Sequence, residues 1–189
     1  MRQIIVSALK MMVWMTLITG VAYPLLVTGI AQLVFPKQAN GSQIKVDGKV
    51  IGSEFVAQKF ENPAYFWSRP SAVDYNPLPS GGSNYGWTSV ALKQRIEQKR
   101  QHLAQGTGAN DIPADLLLAS ASGLDPHITP AAAMWQVDRV AQARRFTANQ
   151  RQQLEDMITF MTEPPSFRVL GEHRVHVLKL NLALDGSQP

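Results

Sequence analysis

The pattern of hydrophobic and polar positions opens with one unbroken apolar block. From Met11 to Pro36, "MMVWMTLITGVAYPLLVTGIAQLVFP", no residue carries a charge. At about 1.5 Å per residue a helix of this length reaches roughly 39 Å, more than the ~30 Å hydrocarbon core of a bilayer. The apolar region of a cleaved signal peptide usually runs about 7–15 residues and ends at a small-residue site, and no such site follows here. The block predicts a retained transmembrane helix over 11–36, a short N-terminus over 1–10 and a folded domain over 37–189.

Within the block Thr16, Gly20, Pro24, Thr28 and Gln32 recur at every fourth position. Each step of four overshoots a helical turn by about 40°, so the stripe winds around the helix. Small and weakly polar side chains in lipid mark places where helices approach closely. A lone anchor needs only Leu and Val, so the stripe predicts packing against partner helices.

Behind the block the periodicity changes repeatedly. Residues 43–58 set Asp47-Gly48 between short β-prone runs, which predicts a hairpin with a type I′ turn. Residues 62–87 hold Pro63, Pro70, Pro77 and Pro79, which exclude a long helix or a central strand. The same segment carries Tyr65, Phe66, Trp67, Tyr75, Tyr85 and Trp87, too many aromatics for a disordered linker. It predicts a structured loop anchored by its rings, with Arg69 near enough in sequence to stack on one of them.

Leu92, Ile96 and Leu103 share one face of an amphipathic helix over 89–104, with Ser89 as its N-cap. Residues 105–113, "QGTGANDIP", form a connection. Thr129-Pro130 fits an N-cap and first helical position, opening a helix to about Arg145 with Met134, Val137 and Ala141 inward. Thr147 and Gln150 fit a capping box that opens a further helix, with Leu154, Met157, Ile158 and Met161 inward, stopped by Pro164-Pro165. Residues 175–184, "VHVLKLNLAL", alternate Leu178, Leu180, Leu182 and Leu184, the pattern of a half-buried strand. Helices and strands are segregated along the chain, so the fold class is α+β: one N-terminal transmembrane helix followed by a single mixed exported domain.

Composition adds three constraints. Apolar residues make up 45% of the 189 positions and charged ones 17%, which excludes disorder. With no cysteine, disulfides, thiolate nucleophiles and Cys-ligated zinc are excluded. The net charge of +4 includes Arg2 and Lys10 ahead of the apolar block, and the rest shows no basic stripe of a nucleic-acid binder. Arg2 and Lys10 precede the block, whereas Lys37 stands alone directly after it. The positive-inside rule then predicts a cytoplasmic N-terminus and an exported C-terminal domain.

The candidate chemistry sits in "ASASGLDPHITP", residues 119–130, which gathers Ser120, Ser122, Asp125 and His127. A hydrolytic triad draws its members from distant parts of a chain, and Asp125 and His127 stand only one proline apart. No G-x-S-x-G elbow occurs. The stretch is better read as a turn in which Asp125 and the serines bond to backbone and Gly123 takes a positive φ. His102, His127, His173 and His176 lack the spacing of a metal site, and His173 and His176 are expected at the surface. Ser80-Gly81-Gly82-Ser83-Asn84 is a small-residue turn of the kind that offers backbone amides to an anion, without a Walker motif or a basic residue inside it.

Taken in order, "TGVAYPLL", "PKQANGS", "YFWSRPSAVDYNPLPSGGSN", "SASGLDPHITPAAAMWQVDRVAQAR" and "LNLALD" closely resemble the C subunit of the Kdp-type potassium-importing P-type ATPase. The resemblance runs from the anchor to Asp185. It implies a single-pass protein of the bacterial inner membrane with a periplasmic domain. Its implied partners are a channel-like potassium-binding subunit, a P-type ATP-hydrolysing subunit and a very small fourth chain. ATP and potassium then belong to the complex, and this chain is a non-catalytic accessory subunit with no cofactor of its own.

The resemblance also implies a second role, a chaperone that raises the ATP affinity of the hydrolysing subunit. Ser80, Gly81, Gly82, Ser83 and Asn84 would then contact nucleotide, although Tyr85-Gly86-Trp87 departs from the family's usual run. For partner-domain contact the candidates are Tyr65, Phe66, Arg69, Asp125 and His127, and for partner-helix contact the stripe from Thr16 to Gln32. No D-K-T-G phosphorylation sequence is present, so this is not the hydrolysing chain.

Overall fold

The computed structural model describes residues 1–107 and 111–186, and they form two compact units, Met1–Ser53 and Glu54–Pro189. In the first unit α1 (Arg2–Leu17) and α2 (Tyr23–Val34) join through a π-helical turn at Ile18–Ala22. Together they make one continuous apolar helix, Arg2–Val34, long enough to cross a membrane. It begins nine residues before the uncharged run, because Ile4, Ile5, Val6 and Leu9 extend the apolar surface between Arg2 and Lys10.

The π turn has a local cause. Pro24 has no N–H, and its ring collides with the carbonyl four residues back, at Gly20. Widening the turn relieves this, and the Tyr23 N–H reaches the Ile18 carbonyl instead. Within the widened turn a step of four falls short of a full rotation, which takes back part of the stripe's drift between Thr16 and Pro24. Thr19 returns its hydroxyl to the Met15 carbonyl at 2.7 Å, so that polar group is satisfied inside the helix.

α3 (Pro36–Ala39) follows, and the Asn40 side chain donates to the Pro36 carbonyl at 2.6 Å and to Gln32 at 3.2 Å. β1 (Gln43–Val46) and β2 (Lys49–Ser53) pair antiparallel across Asp47 and Gly48, at φ 50° and 75°. Two positive φ values are what the type I′ turn predicted. This hairpin groups with the long helix in the first unit.

The second unit holds α4 (Val90–Thr107), α5 (Ala114–Leu117), β3 (His127–Ile128), α6 (Pro130–Trp135), α7 (Val137–Arg144) and α8 (Ala148–Phe160). β4 (Thr162–Glu163), β5 (Arg174–His176) and α9 (Val177–Gly186) complete it. A small antiparallel sheet runs β3-β5-β4, and the helices pack against it around Ile128, Val140, Leu154, Ile158, Val175 and Leu180. The α+β class is as the pattern predicted.

The two predicted caps are both made. The Thr129 hydroxyl accepts from the Ala132 N–H, and Thr147 and Gln150 complete a reciprocal capping box.

Three expectations are corrected. The predicted strand over 175–184 is a strand only to His176, and α9 follows. Its buried positions Val177, Leu180, Asn181 and Leu184 stand at i, i+3, i+4 and i+7, a helical set that contains a polar residue. Counting leucines alone hid it. The predicted continuous helix from Pro130 breaks at Gln136, whose fully buried amide is engaged elsewhere, and Met134 is exposed. His173 is exposed, but His176 is buried, its backbone in the central strand β5.

Candidate functional site

The long loop before α4 belongs to the core of its unit, held by side chains from distant helices. Phe66 is fully buried, and its main chain is read on both sides by Asn181 of α9. The Phe66 N–H donates to Asn181 Oδ1 at 2.8 Å, and Asn181 Nδ2 donates to the Phe66 carbonyl at 3.0 Å. Gln136 repeats the arrangement one residue on. Its Oε1 accepts from the Trp67 N–H at 2.7 Å, and its Nε2 donates to the Trp67 carbonyl at 3.2 Å. Two buried amides thus replace the neighbouring strand that the proline-rich segment cannot have.

Arginines from α7 satisfy the carbonyls just upstream. Arg139 donates to Pro63 and Tyr65 at 2.6 and 3.0 Å and to Gln136 Oε1 at 2.6 Å. Its guanidinium stacks 3.8 Å from the Trp67 ring centroid. Arg144 donates to the Ala64 carbonyl at 2.8 Å and pairs with Asp185, which also accepts from the Tyr65 hydroxyl. Three arginines stack on the loop's aromatics: Arg139 on Trp67, Arg144 on Tyr65 and Arg95 of α4 on Tyr85, 5.3 Å from its ring centroid. Arg69, expected in that role, pairs with Asp125 at 3.1 Å. None of Gln136, Asn181, Arg139 or Arg144 stood out in sequence, because a polar residue on a helix shows its purpose only once its neighbour is known.

The two singled-out turns lie against each other. The Gly81 N–H donates to the Ser122 carbonyl at 2.9 Å. A Cβ at Gly82 would come within 2.9 Å of the Ala121 carbonyl oxygen, and one at Gly123 within 2.8 Å of the Gly81 oxygen. Gly123 also takes φ 71°, as the turn reading required. Of the 80–84 amides, that of Gly81 is thus engaged by the neighbouring turn.

Ser120 and Ser122 are apart from any nucleophile–base arrangement. Ser120 is buried, with its N–H on the Pro70 carbonyl, and the Ser122 hydroxyl accepts from the Leu124 N–H at 3.1 Å. Asp125 accepts from the His127 N–H at 3.0 Å and from Arg69, holding the entry to β3. Burial alone pushes its pKa up, but bonds from His127 and Arg69 outweigh it and hold the carboxyl below its usual range. Asp125 also meets His127 Nδ1 at 3.5 Å, so its carboxylate is shared between backbone, Arg69 and His127, while the Ser122 hydroxyl is engaged by backbone. Among the described residues no group of three or more His, Asp or Glu converges to hold a metal ion.

His176 lies edge-on to His127, ring centroids 5.2 Å apart. Its Nε2 stands 2.9 Å from the Glu54 carbonyl, which only accepts, so the proton is on Nε2, and Nδ1 accepts from the Lys179 N–H. Lys179 also pairs with the Glu54 carboxylate. Burial first, then the His127 and Lys179 charges, lower the His176 pKa from 6.5 against the pull of the Glu54 carbonyl. The folded state therefore prefers neutral His176. Its contribution to stability is complete above about pH 6.5 and is lost as pH falls through the lower folded value. Thermal unfolding followed from pH 7.5 to 5 should show a steeper decline for the native chain than for His176→Gln, and parallel profiles would refute this account.

A family described as "KdpC: K+-transporting ATPase, c chain" matches residues 5–186. The chain is 52% identical over 184 residues to the potassium-transporting ATPase KdpC subunit of Methylococcus capsulatus, covering 95% of each. It is 50% identical over 196 residues to that of Polaromonas naphthalenivorans, covering all of this chain and 97% of the relative. Identity to the corresponding subunit of Leptospira interrogans is 42% over 185 residues.

Proposed function

The chain belongs to the KdpC family of K+-transporting ATPase c chains, and we propose that it is the non-catalytic accessory subunit of an ATP-driven potassium import complex. In this role it supports assembly and function of the channel-like and ATP-hydrolysing subunits, beside the small fourth chain. The long N-terminal helix sits in the bacterial inner membrane, with the stripe from Thr16 to Gln32 against partner helices. Arg2 and Lys10 keep the N-terminus cytoplasmic, which places the second unit outside.

The observation that carries the reading is where apolar surface is left uncovered. Between β4 and β5 a tight turn closes through reciprocal bonds between Ser166 and Leu170, both 2.9 Å. It projects Phe167, Val169 and Leu170, which are 90%, 79% and 63% exposed. Phe167 and Arg168 hold positive φ values of 54° and 62° there. A turn that holds non-glycine residues in the left-handed region to present apolar side chains fits contact with another protein. The accessible candidates Tyr65, Arg69, Asp125 and His127 are further contact residues in this reading.

Nucleotide capture at Ser80–Asn84 is the second reading, inherited from the resemblance. Two things favour the first: an exported unit meets no cytoplasmic ATP, and the Gly81 amide is bonded to Ser122.

Deleting the gene should abolish growth at low external potassium and leave the remaining subunits poorly associated. Phe167→Asp with Leu170→Asp should reduce co-purification of those subunits several-fold, with the free energy of unfolding unchanged to within about 0.5 kcal/mol, as expected of exposed positions. Because the chain has no cysteine, Phe167→Cys supplies a single thiol for membrane-impermeant labelling of intact cells. Intact uptake and assembly after deletion would end the proposal, and labelling only after lysis would place the unit inside.

A further inference from the structure

The face of α4 that borders the clamped loop carries positive charge that no carboxylate bridges directly among the described residues. Arg95, Lys99 and His102 stand at i, i+4 and i+7 and so share one side of the helix. Lys99 and His102 line two adjoining cavities, of about 690 and 390 Å³. The larger is floored by Trp67, with Lys99 Nζ 5.8 Å from its ring centroid and the His102 ring 5.8 Å away and nearly parallel. Arg139 also lines it.

The charges there do not cancel. Lys59 is bridged by both Glu61 and Asp74, each at 3.1 Å. Among the described residues those are the only carboxylates lining the larger cavity, against Lys59, Lys99 and Arg139, so one positive charge is left over. The smaller cavity has Arg95 and Lys99 in its wall and, among the described residues, no acidic side chain. Arg139 is buried with neutral acceptors alone, and its Nε has no hydrogen-bond partner among the described residues. A desolvated cation without a counter-ion is costly unless something supplies one. The pKa values follow: burial holds Arg139 down to about 10, and burial together with the Arg139 charge lowers Lys99, with Glu61 opposing weakly.

We propose that the α4 groove docks an acidic segment of a partner polypeptide, Lys99 pairing with one carboxylate and Arg95 with a second, above the buried charge of Arg139. Charge complementarity selects the occupant. Counting Lys99 once, the two cavities together hold a surplus of two positive charges, which matches singly charged side chains spaced along an extended segment, whereas a compact dianion such as phosphate would concentrate its charge beside Glu61 and Asp74. Trp67 gives the segment an apolar floor. Taking the partner to be a transporter subunit rests on the function proposed above; the groove itself does not.

The test uses the full-length chain in detergent, native and as Lys99→Arg, Lys99→Gln and the double variant Arg95→Glu, Lys99→Glu. Labelled hexaglutamate and hexaglutamine are titrated by fluorescence anisotropy, and each variant is co-purified with the other subunits over a range of salt. Hexaglutamate, but not hexaglutamine, should bind the native chain and Lys99→Arg. Binding or subunit retention should weaken at least tenfold in the double variant and more with rising salt. Lys99→Gln should weaken it too, while its unfolding midpoint stays level or rises because repulsion from Arg139 is relieved.

A loss in either assay at an unchanged midpoint supports the groove. Equal peptide binding and equal retention across all variants overturn it, as does a midpoint in Lys99→Gln that falls in step with binding. If the native chain fails to co-purify, the transporter assignment fails and the hexaglutamate titration alone decides the groove.

Discussion

Replacing Gly123 with alanine is expected to lower the thermal midpoint of the Glu54–Pro189 unit by roughly 9 °C. Two costs combine. The φ of 71° is one that L residues adopt at a penalty of about 1–2 kcal/mol. The new Cβ also meets Val73 Cγ2 at 2.6 Å, the Gly81 oxygen at 2.8 Å and Ser71 Oγ at 3.1 Å. The valine methyl can swing away, but the Gly81 oxygen is main chain, and Gly81 is fastened through its own N–H to Ser122. Overpacking of this kind costs about 1–3 kcal/mol, for a sum near 3 kcal/mol, and roughly 3 °C accompanies each kcal/mol in a domain of this size. Calorimetry of the full chain measures it. A comparable substitution at Gly86, where a Cβ would meet nothing within 4 Å, is the control and should leave the midpoint close to native. If Gly123→Ala matched that control, the packing of the two turns described here would be wrong.

Asn181→Leu is the second large effect. The side chains are close in volume, so no sizeable cavity opens, but both bonds to Phe66 vanish. An N–H and a carbonyl are then left in a core where Phe66 is fully buried. Each orphaned group costs about 1–3 kcal/mol, giving roughly 2–6 kcal/mol together. The change should be visible locally as well as globally. Hydrogen exchange at the Phe66 amide should accelerate by more than the global destabilisation accounts for, because the loop detaches before the helices melt. Asn181→Asp keeps an acceptor for the Phe66 N–H yet loses the donor and buries a charge, so its cost should grow as pH rises above the carboxyl pKa. A loop that stayed protected in Asn181→Leu would show that the amide is incidental. The same loop floors the α4 groove through Trp67, so this variant should also weaken binding there.

Much of this protein was legible without coordinates, and the reasons differ from element to element. The long helix was plain because an uncharged run of bilayer length has few other stable forms. The Asp47-Gly48 turn, the Thr129 cap and the Thr147–Gln150 box were legible because each is a local device, complete within four residues. The turn at 119–130 has the local bonds that its residue types predicted, Asp125 to the His127 N–H and Ser122 to the Leu124 N–H, although the Asp125 and His127 side chains also meet at 3.5 Å across the intervening proline. The resemblance was legible for another reason, as an order of several motifs along nearly the whole chain, and the family match over residues 5–186 agrees with it.

What failed had the opposite character. The segment 177–186 was misread because two periods fit it, and the deciding residue, Asn181, is polar and yet buried. His176 was placed at the surface because nothing in its neighbourhood announces Glu54, more than a hundred positions earlier. Arg69 was assigned to the rings nearest in sequence, while Arg139 and Arg144 reach them from another helix.

The sequence by itself determined the long apolar helix, the α+β class, the caps and turns and the family, because those depend on interactions among near neighbours or on the order of motifs. Tertiary structure alone decided which polar side chains go inside, that Asn181 and Gln136 stand in for a missing strand, and that Lys99, Arg139 and Trp67 share one cavity. The physical reason is that a buried hydrogen bond or an uncompensated charge is a property of two groups and the water excluded between them. A chain read along its length shows each group but not the pair.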